Sequence, residues 1–196
     1  QKRLDLMLGN SSVMHMGYIF LAIAALSANP DNSIAVPAAV LLMFAHGISI
    51  ALLFSLTSVV EQKTGTLEIA QLGGLAKTAP ALAFLFGLAG MASIGLPGLA
   101  NFAGEVMVFF AGFADWTPGE SLGWVQITTI IALWGVVISA VYMLRAYRNT
   151  FQGPLVKATE NAADIHYCEK IPSYILAITL LVVGIYPQII LQFLSN

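Results

Sequence analysis

The sequence is short of charge. Of its 196 residues only 9% are Asp, Glu, Lys or Arg, where an ordinary soluble domain carries about 25%. A water-facing surface cannot be built from so few charges, which excludes a soluble globular enzyme. Cysteine is nearly absent. Cys168 stands alone, so no internal disulfide and no cysteine metal cluster can form. The formal net charge of −2 says little, because the placement of the charges matters more than their sum.

Apolar residues are what the chain has in excess. They make up 58% of it, at a mean hydropathy of +0.84. Such a chain does not stay disordered. The class that remains is a polytopic membrane protein. A hydrocarbon core of ~30 Å at 1.5 Å per residue needs ~20 apolar residues per passage, so roughly five or six passages fit. The chain opens on Gln1 with polar residues and no signal peptide ahead of the first span, as expected for a C-terminal piece of a longer membrane protein.

Apolar runs bounded by polar, Pro or Gly residues predict one transmembrane helical domain over 1–196. Its spans lie at about 9–28, 34–60, 79–113, 122–146 and 171–194. The fold class is all-α, with about five transmembrane helices, one of them discontinuous. No tandem repeat, low-complexity tract or soluble domain is visible.

The eight basic residues sort by side. Lys2 and Arg3 precede the first span, Lys63 and Lys77 follow the second, and Arg145, Arg148, Lys157 and Lys170 end or follow the fourth. The loops 29–33 and 114–121 and the C-terminus hold none. By the positive-inside rule the N-terminus is expected in the cytoplasm and the C-terminus outside. A bacterial inner membrane is the expected setting. The pattern survives only if 79–113 crosses an odd number of times, so one crossing is expected. Thirty-five residues crossing once need a break, and Gly95-Leu96-Pro97-Gly98 supplies it. Pro97 removes a backbone donor, while Gly95 and Gly98 permit non-helical angles. Non-helical backbone at membrane depth is tolerated only inside protein or along a wet cavity, which points toward transport. A simple proline kink is the alternative.

Three ionisable side chains lie inside the spans: His15, His46 and Glu105. A charge at the bilayer centre costs about 2.5–3.5 kcal/mol on insertion scales, so a functional role is the first hypothesis for each. Histidine titrates near neutrality, and burial brings a carboxyl group toward that range. Such groups can pass protons. Counted from the span ends, they form a staggered ladder, with His15 nearer the cytoplasm, His46 near the middle and Glu105 in the outer half. The alternative is that they bond neighbouring helices without moving anything. Asn101 is placed to cap the half-helix after the break. Ser11, Ser12, Ser49, Ser55, Thr57 and Ser58 orient water or bond their own backbone, the second being the ordinary case.

Other chemistry has no signal. Gly73-Gly74 is not followed by Gly-Lys-Ser/Thr, so there is no phosphate loop. His166 and Cys168 lack a second metal-ligand pair. No Gly-Xaa-Ser-Xaa-Gly nucleophile elbow occurs. Trp116, Trp124 and Tyr174 fit an aromatic belt, and Arg145 and Arg148 reach to the interface.

Four motifs occur in order: Ser11-Ser12-Val13-Met14-His15-Met16-Gly17, Ala45-His46-Gly47, Leu72-Gly73-Gly74-Leu75, and Gly95-Leu96-Pro97-Gly98-Leu99-Ala100-Asn101-Phe102-Ala103-Gly104-Glu105. Together they resemble the antiporter-like membrane subunits of respiratory complex I, the proton-translocating NADH:quinone oxidoreductase, which are similar to subunits of multisubunit sodium/proton antiporters. The resemblance covers nearly the whole chain and is best for the chain M, or subunit 4, type, where a glutamate stands on the broken helix. It implies the last five of fourteen helices, the C-terminal half of the subunit. It also implies that His15, His46 and Glu105 relay protons in a half-channel, with Glu105 toward the outer exit. Quinone, NADH, flavin and iron–sulfur clusters are then expected only in partner subunits. No catalytic redox, cofactor-binding or metal residue is expected here. The expected partners are the lipid bilayer, adjacent antiporter-like membrane subunits and protons, with no nucleic acid.

The sequence departs from the family in two ways. The basic stretch usually found before the first motif reads Arg3-Leu4-Asp5-Leu6-Met7 here. The N-terminal half, with its glutamate–lysine pair and the lysine of the eighth helix, is not in this chain, so this chain alone is not expected to pump. Two other readings stand beside the first: a subunit of a sodium/proton antiporter or membrane-bound hydrogenase, and a non-conducting structural segment.

Overall fold

The computed structural model describes residues 1–194. The last two residues of the predicted domain, and the C-terminus with them, lie outside the described residues. The described chain is helical, with no strand among these residues beyond an isolated bridge between Arg3 and Glu68. In chain order the helices are α1 (Leu4–Ala28), α2 (Ala35–Thr64), α3 (Pro80–Ser93), α4 (Ala100–Ala111), α5 (Trp124–Phe151), α6 (Tyr167–Ile185) and α7 (Gln188–Leu191). Four of them, α1, α2, α5 and α6, are long and apolar enough to cross a membrane.

Most helices run past one end of the apolar runs that predict them, and the last run, 171–194, is divided between α6 and α7. α1 starts at Leu4 rather than near residue 9, because Leu4, Met7 and Leu8 are buried. α2 continues to Thr64 and stops where Gly65 takes a left-handed φ of 73°. α5 carries Arg145 and Arg148 within its last two turns and ends at Phe151, which packs on Phe86 and Tyr147. α6 begins at Tyr167, where the Glu169 carboxylate accepts from the His166 backbone N–H. It ends just before Pro187.

α2 is the central post. It packs against α1, α3, α4 and α6, while α5 lies along α1 and α3. The α2–α4 seam is close because Gly104 meets the Leu42 backbone: a Cβ there would stand 2.9 Å from Leu42 Cα. Outward-facing Val13, Phe20, Phe110, Ile131, Trp134 and Ile185 leave an apolar rim, which suits a lipid or protein surround and not water.

Hydrogen bonds tie the loops into two ends. At one end Leu4 N–H donates to Leu67 O, Gly74 N–H to Gln152 O, and Thr159 Oγ1 to Gly73 O. The Asp164 carboxylate accepts from Ala81 and Leu82 N–H, which caps α3 just after Pro80. At the other end Asn32 Nδ2 donates to Ala111 O, and Asn29 bonds Asp115. α3 therefore starts at the first end and α4 finishes at the second. At 1.5 Å per residue α3 and α4 are about 21 and 18 Å long, too short to cross singly and long enough together. The first end carries Lys2, Arg3, Lys63, Lys77, Arg148 and Lys157 together with the acids Asp5, Glu61, Glu68 and Asp164, and the second carries Asp31, Asp115 and Glu120 without Lys or Arg among the described residues.

Between α3 and α4 the chain leaves the helix for 94–99. Gly95 and Gly98 take φ of 71° and 91°, angles that an L side chain adopts only with strain. Gly184 of α6 lies against this stretch, where a Cβ would collide with the Gly98 carbonyl and the Leu99 backbone.

Candidate functional site: a buried histidine–glutamate cluster

The helix break brings a carboxylate to an imidazole. Cβ vectors tilt toward a helix N-terminus, so the Glu105 side chain on α4 leans back over the break. Its Oε2 fills the space that a Cβ on Gly95 would need. Its Oε1 stands 3.3 Å from His15 Nε2, and both side chains are buried.

His15 faces acceptors on both sides. Nδ1 is 2.8 Å from the Ser11 carbonyl, and Nε2 is 2.9 Å from the Ser93 carbonyl. Carbonyl oxygens only accept, so this set fits a ring with a proton on each nitrogen and Glu105 as its counter-charge. Ser93 is the last residue of α3, and its carbonyl belongs to the negative end of that half-helix. The break thus supplies two acceptors to one N–H: a main-chain oxygen and a carboxylate.

His46 lies flat on His15. The ring centroids are 4.5 Å apart with 16° between the planes. Its Nε2 shares a 2.9 Å hydrogen bond with Ser12 Oγ, and its Nδ1 is buried with no hydrogen-bond partner among the described residues. Two positive rings at this distance repel, so the stack favours one charge over two. Tyr18 closes the site edge-on at 5.9 Å from His15. Tyr142 of α5 donates a 2.6 Å hydrogen bond to Ser11 Oγ.

The three residues therefore form one cluster, and the staggered ladder is corrected. α1 begins earlier than its apolar run, which moves His15 to mid-helix, and Glu105 bends back toward the break. Asn101 is not a cap. It sits inside α4, whose N-cap residue Leu99 makes no side-chain cap bond, and its Nδ2 donates to Ser49 Oγ at 3.3 Å.

The family described as NADH:quinone oxidoreductase/Mrp antiporter, TM, matches residues 1–132. The chain belongs to this family. It is an integral membrane protein. NAD(P)H-quinone oxidoreductase chain 4 1 of Synechococcus elongatus is 35% identical over 193 residues, which cover 98% of this chain and 35% of that protein. A chain 4 from Gloeobacter violaceus is 32% identical over 193 residues, again covering 35% of the relative. The chain thus spans about a third of the length of the curated relatives it matches. Among solved structures, a chain of respiratory complex I from Thermus thermophilus with bound NADH matches with a TM-score of 0.84 at 27% identity, covering 97% of this chain and 37% of that one. A chain of the Mrp complex from a Dietzia species shares the fold, with a TM-score of 0.83 at 20% identity over 97% of this chain and 41% of that one. Both solved neighbours are chains of complexes.

The serines divide. Ser49 and Thr57 bond backbone carbonyls of their own helix, the ordinary behaviour. Ser12 reaches His46, and Ser11 receives the Tyr142 hydroxyl. Sequence reasoning does not find Tyr142 or the Ser93 carbonyl. Tyr142 lies in an apolar run with no local signal. A main-chain oxygen becomes a partner only because α3 stops at Ser93. The Gly73-Gly74 motif serves packing: a Cβ on Gly74 would stand 2.7 Å from the Pro154 carbonyl oxygen.

Proposed function

We propose that this chain, as one transmembrane domain over 1–196, forms the C-terminal part of a proton-translocating membrane subunit of an NADH:quinone oxidoreductase of the chain M type. It carries part of a proton half-channel coupled to NADH-to-quinone electron transfer. The observation that carries this reading is the ion pair of His15 with Glu105 under a stacked His46, at a helix break inside the membrane. Moving the Nε2 proton of His15 to Glu105 Oε1 converts a charged pair into a neutral one. The same proton can then leave from Glu105, and His15 is recharged from the side of His46 and Ser12. Each step changes the charge at the break, where the α3 dipole ends. Electrostatic coupling to neighbouring ionisable groups would act there.

No side chain of this half-channel carries electrons in the proposal. Quinone, NADH, flavin and iron–sulfur chemistry belong to partner subunits, with adjacent antiporter-like subunits as neighbours in the membrane. By the positive-inside rule the end that carries the Lys and Arg residues faces the cytoplasm and the other end the outside, and the membrane is a bacterial inner membrane. A second reading, a subunit of a multisubunit sodium/proton antiporter, is favoured by the family description and by the fold shared with the Mrp complex chain. The cluster is then the same and the driving reaction differs.

Glu105→Gln in the intact complex tests the first reading. The amide keeps shape and hydrogen bonding but cannot hold the charge. Proton pumping in reconstituted vesicles falls strongly while assembly is retained. Unchanged proton-to-electron stoichiometry refutes the reading. Sodium-dependent transport without quinone reduction favours the second.

A further inference from the structure

Two polar atoms near the ion pair have no hydrogen-bond partner among the described residues. Asn101 is fully buried. Its Nδ2 is used by Ser49, but its Oδ1 bonds nothing. His46 is 2% exposed, and its Nδ1 bonds nothing. The two residues are linked through Ser49, whose hydroxyl accepts from Asn101 and donates to the His46 carbonyl at 3.0 Å. All three stand on the α2–α4 seam, with Asn101 one turn ahead of Glu105 and His46 three residues ahead of Ser49. A buried acceptor left unpaired is costly, and within a membrane no bulk water compensates it.

The chemistry of the two atoms is complementary through one molecule. An amide oxygen needs a donor, and an imidazole nitrogen either accepts or donates according to its proton. Another side chain of fixed polarity satisfies only one state of His46. A water satisfies both, donating to Asn101 Oδ1 while it turns its other hydrogen or its lone pair toward His46 Nδ1. Such sites bind water when two or more polar partners converge. We propose that Asn101, Ser49 and His46 form a water-binding site with Asn101 Oδ1 and His46 Nδ1 as its poles, and that Asn101 is a positioning residue for His46. The second role rests on the proton-relay reading; the water site does not.

The bound water makes the free nitrogen of His46 reachable by a proton on the face away from Ser12. His46 then has a polar contact at each ring nitrogen: Ser12 on one side and the water on the other. A proton can enter at one and leave from the other, with the ring changing tautomer between. Asn101 holds that water in place because its amide cannot rotate freely while Nδ2 is bonded to Ser49.

The test has two arms on the intact complex. A density map at a resolution that shows ordered water is expected to place a water within hydrogen-bond distance of both Asn101 Oδ1 and His46 Nδ1. A protein group bonded to either atom in its place, or no density between them, overturns the site. In the second arm, Asn101→Leu keeps volume and removes the acceptor, and Asn101→Ser returns a hydroxyl with space for a second water. Proton pumping is expected to fall about tenfold in the first variant and to recover to within about twofold in the second. Equal loss in both variants marks a packing role and overturns the positioning claim, as does no loss in either. If Glu105→Gln leaves pumping untouched, the relay reading fails, and the density arm still decides the water site.

Discussion

Gly95 and Gly98 offer a matched pair of substitutions at the helix break. Both take left-handed φ, 71° and 91°. Replacing either by alanine costs about 1–2 kcal/mol for the backbone alone. Their surroundings differ. Around Gly98 an added Cβ meets nothing within 4 Å, while around Gly95 it meets Glu105 Oε2, with the carboxyl carbon 3.1 Å away. The carboxylate must swing aside, and the 3.3 Å approach to His15 opens with it. Removing one partner of a buried ion pair costs about 3–5 kcal/mol, which is the ceiling for a displaced one. Gly98→Ala is therefore expected to lower stability by about 1–2 kcal/mol and to leave proton transfer near its normal rate. Gly95→Ala is expected to lose up to about 3–5 kcal/mol more and to cut proton transfer about tenfold. Thermal unfolding and vesicle proton uptake measured on the intact complex give both quantities. A double variant with Glu105→Gln isolates the contact, because the extra loss at Gly95 shrinks when the charge is already gone. Equal effects of the two alanines on proton transfer would show that the break does not hold Glu105 in place, and the reasoning falls.

Other outcomes follow from named contacts. Asp164→Ala removes the cap on α3 and is expected to cost about 0.5–2 kcal/mol in thermal unfolding; no loss means that the two N–H groups find other acceptors. Gly184→Val drives a side chain into the Gly98 carbonyl and Leu99 backbone. It is expected to destabilise by about 1–3 kcal/mol, and a neutral result shows that α6 does not brace the break. Single cysteines test orientation in sealed cells. Asp31→Cys is expected to react with an impermeant thiol reagent from outside and Gln62→Cys is not; the reverse pattern inverts the topology.

Much of the fold is legible in the sequence because burial in a membrane is a matter of composition. Long apolar runs mark α1, α2, α5 and α6, and Gly95-Leu96-Pro97-Gly98 marks the break between α3 and α4. The end residues are less legible. Leu4 and Phe151 extend their helices because each finds a buried place, which no window of hydropathy sees. The site is partly legible. His15, His46 and Glu105 stand out as ionisable residues in apolar runs. Their mutual distances do not, because depth counted along each span assumes straight side chains and unbroken helices. Asn101 shows the same limit: next to a break it reads as a cap, yet the seam made by Gly104 and Leu42 brings it to Ser49.

The sequence by itself determined the solvent, since 9% charged residues cannot face water on all sides. It also determined where the basic residues fall along the chain, where the helix must break, and which three ionisable groups stand inside the apolar runs. Those properties depend on residue type and order, which are local. The tertiary structure decided what the ionisable groups touch. It turned one nitrogen of His15 to the Ser93 carbonyl and Glu105, laid His46 on His15, and left Asn101 Oδ1 and His46 Nδ1 with no hydrogen-bond partner among the described residues. Those properties depend on the rotation of each helix about its axis and on how closely glycines let backbones approach. Packing alone sets both.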